Sequence, residues 1–136
     1  MLSATDAFLT RYLLAGADGE PRPMRYNPID YQTLKFIESH PKTRATDISH
    51  ALFLPPTTMQ SALDRLVKMG LVRKSNHPKD GRAKIYELSK QGVDMRAKIL
   101  AQDRVNMNEM LSTLTPVEQE QLLTSMEKVE QYLRAG

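Results

Sequence analysis

No cysteine occurs in the 136 residues. That excludes a disulfide framework, a thiolate zinc site, a cysteine nucleophile and a thiol redox switch. Long apolar runs are missing too, since no stretch approaches the roughly 18 residues that a membrane span needs. No positive charge precedes the apolar N-terminal stretch, which Asp6 and Arg11 interrupt, so a secretory signal is not expected. These absences predict a protein of the reducing cytoplasm with no membrane partner. There is no internal repeat and no low-complexity tract. Catalytic signatures are equally scarce: no Gly-rich phosphate loop, no HExxH, and no serine or carboxylate pair with a base beside it. His40, His50 and His77 are scattered without metal-ligand spacing, so solvated or capping roles are expected of them. The sequence therefore predicts no enzyme, no cofactor and no metal site.

What is present is ordinary in amount and uneven in placement. Apolar residues make up 40% and charged residues 26%, and the length suits one domain that needs no staples to fold. The net charge of +3 conceals a basic centre. Residues 42–90 hold ten basic and four acidic side chains, a balance of +6, between flanks of −1 (residues 1–41) and −2 (residues 91–136). Such a centre fits either a solvated face or a polyanion-binding surface carried on an assembly scaffold.

Along the chain, Ser3 and Asp6 open a predicted helix running to about Ala15, which Gly16 stops. The stretch 16–26 is rich in Gly and Pro and reads as a loop. Asn27 caps the next helix with Pro28 in its first turn, and Tyr26 and Tyr31 have the spacing of a hydrophobic staple. Leu34 and Ile37 continue its apolar face until Pro41. A short helix is predicted over about Arg44–Phe53. After Pro55-Pro56 another runs to about Met69, burying Met59, Ala62, Leu63 and Leu66, with Gly70 as its left-handed stop. The period then changes from helical to alternating. Residues 71–75 and 84–88 read as strands joined by Asn76-His-Pro-Lys-Asp-Gly-Arg82, a turn with a basic tip. Ser89 starts a long helix with Val93, Leu100, Met107 and Leu114 every seven residues. Thr115-Pro-Val-Glu118 is a capping box with Pro at the first helical position, opening a last helix with Leu122, Met126, Val129 and Leu133 on one side.

Helix, short helix, turn, helix and two-stranded hairpin make a winged helix-turn-helix. The predicted fold is mainly α (α+β): this lobe at about residues 28–90, with helices at about 1–16 and 91–136 forming a dimerisation region of the same single domain. A B-DNA major groove is about 12 Å wide and admits one helix. With its apolar residues turned inward, the helix after Pro55-Pro56 shows Thr57, Thr58, Gln60, Ser61, Asp64, Arg65 and Lys68. Hydroxyls and an amide at its start suit base edges, because Gln can bond adenine bidentately. Arg65 and Lys68 suit phosphates. Lys79 and Arg82 at the hairpin tip can reach a minor groove, and Arg73, Lys74 and Lys84 on the strands complete the basic set.

The chain here resembles the MarR-type transcriptional regulators. The resemblance is carried by Asp80-Gly-Arg82 in the wing, Leu88-Ser-Lys-Gln-Gly92 after it, Leu63-Asp-Arg-Leu66 followed by Gly70-Leu-Val72, and Asp47-Ile48 followed by Ala51-Leu52. It is good from about Ile29 to Gly92. It implies that Arg82 enters the minor groove, that Asp80 holds the wing's shape, and that Thr57, Gln60 and Ser61 face bases. The terminal helices would then build a homodimer. Phe53 stands where that family usually has glycine, Pro55-Pro56 replaces the usual serine cap and basic residue, and Gly81 replaces a second basic residue of the wing.

Two long helices after a lobe with its own core need another partner for their apolar faces, so a homodimer is expected. Its two-fold symmetry would match a palindromic double-stranded operator. The expected function is a sequence-specific transcriptional regulator, a repressor released by a small aromatic or anionic effector. Tyr12, Met24, Tyr26, Tyr31 and Phe36 are candidates for lining the effector pocket, or else form core and staple. The alternatives are a winged-helix protein-interaction module and a DNA-binding protein of replication or plasmid maintenance.

Overall fold

Asn27 has an extended backbone, and its side-chain Oδ1 accepts the N–H groups of Ile29 (3.0 Å) and Asp30 (3.3 Å), two donors a helix start leaves without partners. Helix α1, Pro28–Ser39, follows. It is the first complete element among the residues described by the computed structural model, which are 4, 7, 23–25 and 27–135. The helix expected from Ser3 to Ala15 lies outside these apart from Ala4 and Ala7, both helical, and the staple residue Tyr26 lies outside them as well. Helices α2 (Ala45–Ala51) and α3 (Pro56–Lys68), strands β1 (Val72–Asn76) and β2 (Lys84–Leu88), and helices α4 (Lys90–Leu111) and α5 (Pro116–Ala135) complete the order.

The chain divides into two compact units, one of residues Arg22–Gln102 and the other including residues 103–135, with the boundary inside α4. In the first, α1, α2 and α3 surround one apolar core. Leu34 and Ile37 come from α1, Ile48 from α2, and Met59, Ala62, Leu63 and Leu66 from α3. Leu71, Val72 and Tyr86 of the hairpin and Ile99 of α4 close it. At roughly 1.5–3 kcal/mol for each large side chain fully buried, the α3 strip alone orients that helix decisively.

The short helix departs from its expected range, ending at Ala51 rather than Phe53. The chain is drawn into a turn there: Leu54 N–H donates to the Ser49 carbonyl (3.0 Å) and the Ser49 hydroxyl donates to the Leu54 carbonyl. Phe53 consequently takes the left-handed backbone, φ 54°, that glycine would accept freely. For a residue with a Cβ this costs roughly 1–2 kcal/mol. Helix α3 ends with Gly70 at φ 78° and Leu71 N–H donating to the Leu66 carbonyl (3.0 Å), a six-residue closure typical of left-handed caps.

The strands are antiparallel, with Val72 opposite Leu88 and Asn76 opposite Lys84. On the other edge of β2, Thr43 exchanges backbone hydrogen bonds with Tyr86 (3.2 and 2.8 Å). The hairpin is fastened to α4 at its root, where Ser89 N–H donates to the Leu71 carbonyl (3.0 Å) and the Ser89 hydroxyl to the Gly70 carbonyl. Gly92 lies over the same carbonyl. A Cβ there would stand 2.0 Å from Leu71 O and 3.0 Å from its carbon. Further along α4, buried Arg96 reaches Glu38 of α1 (3.2 Å).

In the second unit the Thr115–Glu118 box forms as its spacing predicts. Thr115 N–H donates to Glu118 Oε1 (3.0 Å) and Glu118 N–H to Thr115 Oγ1 (3.2 Å). The Thr115 backbone N–H, and then its hydroxyl, hold the Glu118 carboxyl below the usual carboxylate range. A lowered folded value means that this cap contributes at neutral pH and is lost as acid protonates the group. Gln119 Nε2 donates to the carbonyls of Leu111 (2.8 Å) and Leu114 (3.3 Å), bracing the turn before α5.

Gly92→Ala is expected to destabilise the protein by about 3 kcal/mol, because the methyl meets backbone rather than a yielding side chain. Gly81→Ala, whose added Cβ meets nothing within 4 Å, should leave the thermal midpoint nearly unchanged. Thermal melting followed by circular dichroism compares the two.

Candidate nucleic-acid interface

The burial of Met59, Ala62, Leu63 and Leu66 leaves one wet face on α3. Thr57, Gln60, Ser61, Asp64, Arg65 and Lys68 are exposed on it and Thr58 is half-buried. Helix α3 starts on Pro55 and Pro56, so no side chain caps it. Gln60 is already oriented: its Nε2 donates to Asp64 Oδ1 (2.9 Å) and to the hydroxyl of Tyr86 (3.4 Å). The buried ring of Tyr86 thereby ties the amide to the wing strand.

Arg65 does not project freely to a phosphate, as its sequence position suggested. Its Nη2 lies 2.8 Å from Asp30 Oδ1 and its Nε 3.4 Å from Oδ2, a two-pronged pair in which Asp30 is buried and the Arg side chain 45% exposed. The hydrogen bond to Asp30 raises the Arg65 pKa further above its ordinary value. The pair fastens the last turn of α3 to the first turn of α1, so any phosphate contact is left to the guanidinium edge facing water.

On the wing, Arg73 meets Glu87 directly across the ladder (3.5 Å), and Lys84 donates to the Asn76 side chain. Lys68, Lys74, Lys79 and Arg82 are exposed and form no ion pair among the described residues. The tip is braced from within. His77 N–H donates to the Ala83 carbonyl (2.9 Å), Ala83 N–H to the Asp80 carbonyl (3.0 Å), and Arg82 N–H to Asp80 Oδ1 (3.1 Å). His77 Nδ1 accepts the N–H groups of Lys79 (3.1 Å) and Asp80 (3.3 Å). His77 is thus a cap of the tip, one of the roles expected of the histidines. His40 stacks on Phe36 with ring centroids 4.1 Å apart.

Of the candidate effector residues, Tyr12 and Tyr26 fall outside the described residues. Met24 and Tyr31 are core residues, and the Tyr31 hydroxyl donates to the Met24 carbonyl (2.7 Å), so the ring is spent on packing. Phe36 stacks on His40 instead. Met24 does border a pocket of about 520 Å³ with Arg25, Asn27, Pro28, Asp30, Arg65 and Met69, which Tyr31 and Phe36 do not line. Among the described residues no helix is long and apolar enough to cross a membrane.

Sequence reading found the outward face of α3 and the basic tip. It missed the Asp30–Arg65 and Glu38–Arg96 pairs, whose partners stand 35 and 58 positions apart, and the ring nitrogen of His77 that closes the tip. For the tip, the run of polar turn residues around His77 was the available signal.

The sequence profile of the MarR family matches residues 26–83. An uncharacterized HTH-type transcriptional regulator of Bacillus subtilis (strain 168), YkoM, is 24% identical over 103 residues, which span 76% of this chain and 67% of that protein. The crystal structure of YusO from Bacillus subtilis is similar with a TM-score of 0.70 and 24% identity, covering 77% of this chain and 74% of that one. A MepR mutant of S. aureus bound to an oligodeoxyribonucleotide is similar with a TM-score of 0.61 and 21% identity, covering 79% and 80%.

Arg65→Ala should lower the thermal midpoint, since it strands the buried Asp30 carboxylate at a cost of about 1–3 kcal/mol. Lys68→Ala, three residues on and fully wet, should leave it unchanged. Equal melting of the two variants would show that the Asp30 pair does not fasten α3.

Proposed function

We propose that this chain, whose residues 26–83 match the MarR family, is a DNA-binding transcriptional regulator that works as a homodimeric repressor on a palindromic operator. The observation carrying this reading is the arrangement around α3: a short, polar, uncharged N-terminal face flanked by the exposed cations Lys68, Lys74, Lys79 and Arg82. Phosphate-directed charge supplies affinity, and the polar end supplies discrimination. Thr57, Thr58, Gln60 and Ser61 read base edges. Lys68, Arg73, Lys74 and Lys84 lie along phosphates, with the outer edge of Arg65 among them. Lys79 and Arg82 enter the minor groove on a tip held rigid by Asp80 and His77.

Helix α5 supports the homodimer. It is 20 residues long with no buried residue, and Val117, Leu123, Met126, Val129, Tyr132 and Leu133 are all exposed on it. Apolar surface of this extent is a mark of association. A second copy of the chain covers it symmetrically and sets two reading helices about 34–36 Å apart, one turn of the duplex. The DNA-bound MepR relative of similar fold favours the same partner for this chain.

Selection of bound fragments from random double-stranded DNA is expected to recover a palindrome; recovery of none would sink the reading. With about 6–10 phosphate contacts, affinity should fall by about 10³–10⁵ between 50 and 200 mM salt. Gln60→Ala should cost about 1–3 kcal/mol on the selected site alone, whereas Lys68→Ala should weaken all sequences alike and flatten the salt slope by about one unit. Met126→Glu with Val129→Glu should yield monomers in sedimentation and abolish binding to the palindrome.

A further inference from the structure

Phe53 is the most exposed large hydrophobic side chain among the described residues, 94% accessible, and its backbone is left-handed. Both features oppose the folded state, and either glycine or asparagine would relieve them. The ring makes almost no contact with the rest of the chain, so packing does not call for an aromatic here. The turn beneath it is firmly closed. Phe53 N–H donates to the His50 carbonyl (3.3 Å), Leu54 N–H to the Ser49 carbonyl (3.0 Å), and the Ser49 hydroxyl to the Leu54 carbonyl. A strained backbone carrying an exposed ring on a braced turn is the pattern of a positioned contact residue.

Its place in the chain says what it faces. Phe53 immediately precedes Leu54 and the Pro55-Pro56 start of α3, the end that carries Thr57, Gln60 and Ser61. As that end enters the major groove, the turn is brought to the groove's edge. Pro55 and Pro56 offer no N–H groups, so hydrogen bonding from this corner is poor and its chemistry is apolar. The apolar surfaces that duplex DNA presents there are the C5-methyl of thymine and the carbon face of deoxyribose.

We propose that Phe53 is a DNA-contacting residue whose ring packs against apolar carbon of the operator, a thymine methyl or a deoxyribose, at the edge of each half-site. This rests on the assignment of α3 as the reading helix. The test uses the duplex that wild-type protein selects from random DNA, titrated with wild type, Phe53→Gly, Phe53→Asn and Phe53→Tyr. The Gly and Asn variants should melt no lower than wild type yet bind about ten-fold more weakly, the order of one lost base-edge contact. The Tyr variant keeps the ring and should keep the affinity. Replacing thymines one at a time by deoxyuridine separates the two sources. Loss at one position for wild type, and not for Phe53→Gly, identifies a thymine methyl; loss at none, with the variants still weak, identifies deoxyribose. Gly and Asn variants that bind as tightly as wild type would overturn the proposal and assign the ring to a protein partner or to none. Variants that melt lower would overturn it by making Phe53 a packing residue. A wild type that selects no DNA fails one step earlier, at the reading of α3 itself.

Discussion

Everything the interface can do depends on one helix being unable to turn about its own axis. Met59, Ala62, Leu63 and Leu66 are buried on one side of α3, and rotation about its axis would carry them out of the core. Two polar ties reinforce this. Arg65 holds the helix to α1 through Asp30, and Gln60 holds it to the wing through Tyr86. The face offered to a duplex is therefore decided by packing before any duplex arrives, which lowers the ordering cost of binding.

The charges follow the same economy. Of the basic residues around α3 and the hairpin, Arg65 and Arg73 are partnered by carboxylates, and Lys84 is engaged by Asn76. Lys68, Lys74, Lys79 and Arg82 carry the field that a polyanion meets. Asp64 lies beside them on the exposed face of α3, accepting a hydrogen bond from Gln60.

Much of this was legible in the order of residues, wherever the determinant is local. Asn27-Pro28 starts α1, Thr115 and Glu118 cap α5, Gly70 ends α3, and β2 occupies the expected residues 84–88 while β1 shifts by one. Periodicity identified the inner side of α3 residue by residue. The rest depends on contacts distant in the chain. Asp30 and Glu38 read as ordinary surface acids of α1 until α3 and α4 bring arginines to them. Tyr31, offered as either pocket wall or core, lies in the core with its hydroxyl on the Met24 carbonyl. The early end of α2 comes from Ser49, whose hydroxyl bonding gives no periodic signal. In the second unit, Leu122, Met126, Val129 and Leu133 share the predicted spacing and are exposed.

The missing side chain at position 92 has a mechanical consequence. With Leu71 O pressed against bare backbone and Ser89 bonded to Gly70, the first turn of α4 and the base of the hairpin move as one solid piece. Within this unit, a twist applied to the first turns of α4 therefore reaches the root of the hairpin that carries Lys79 and Arg82.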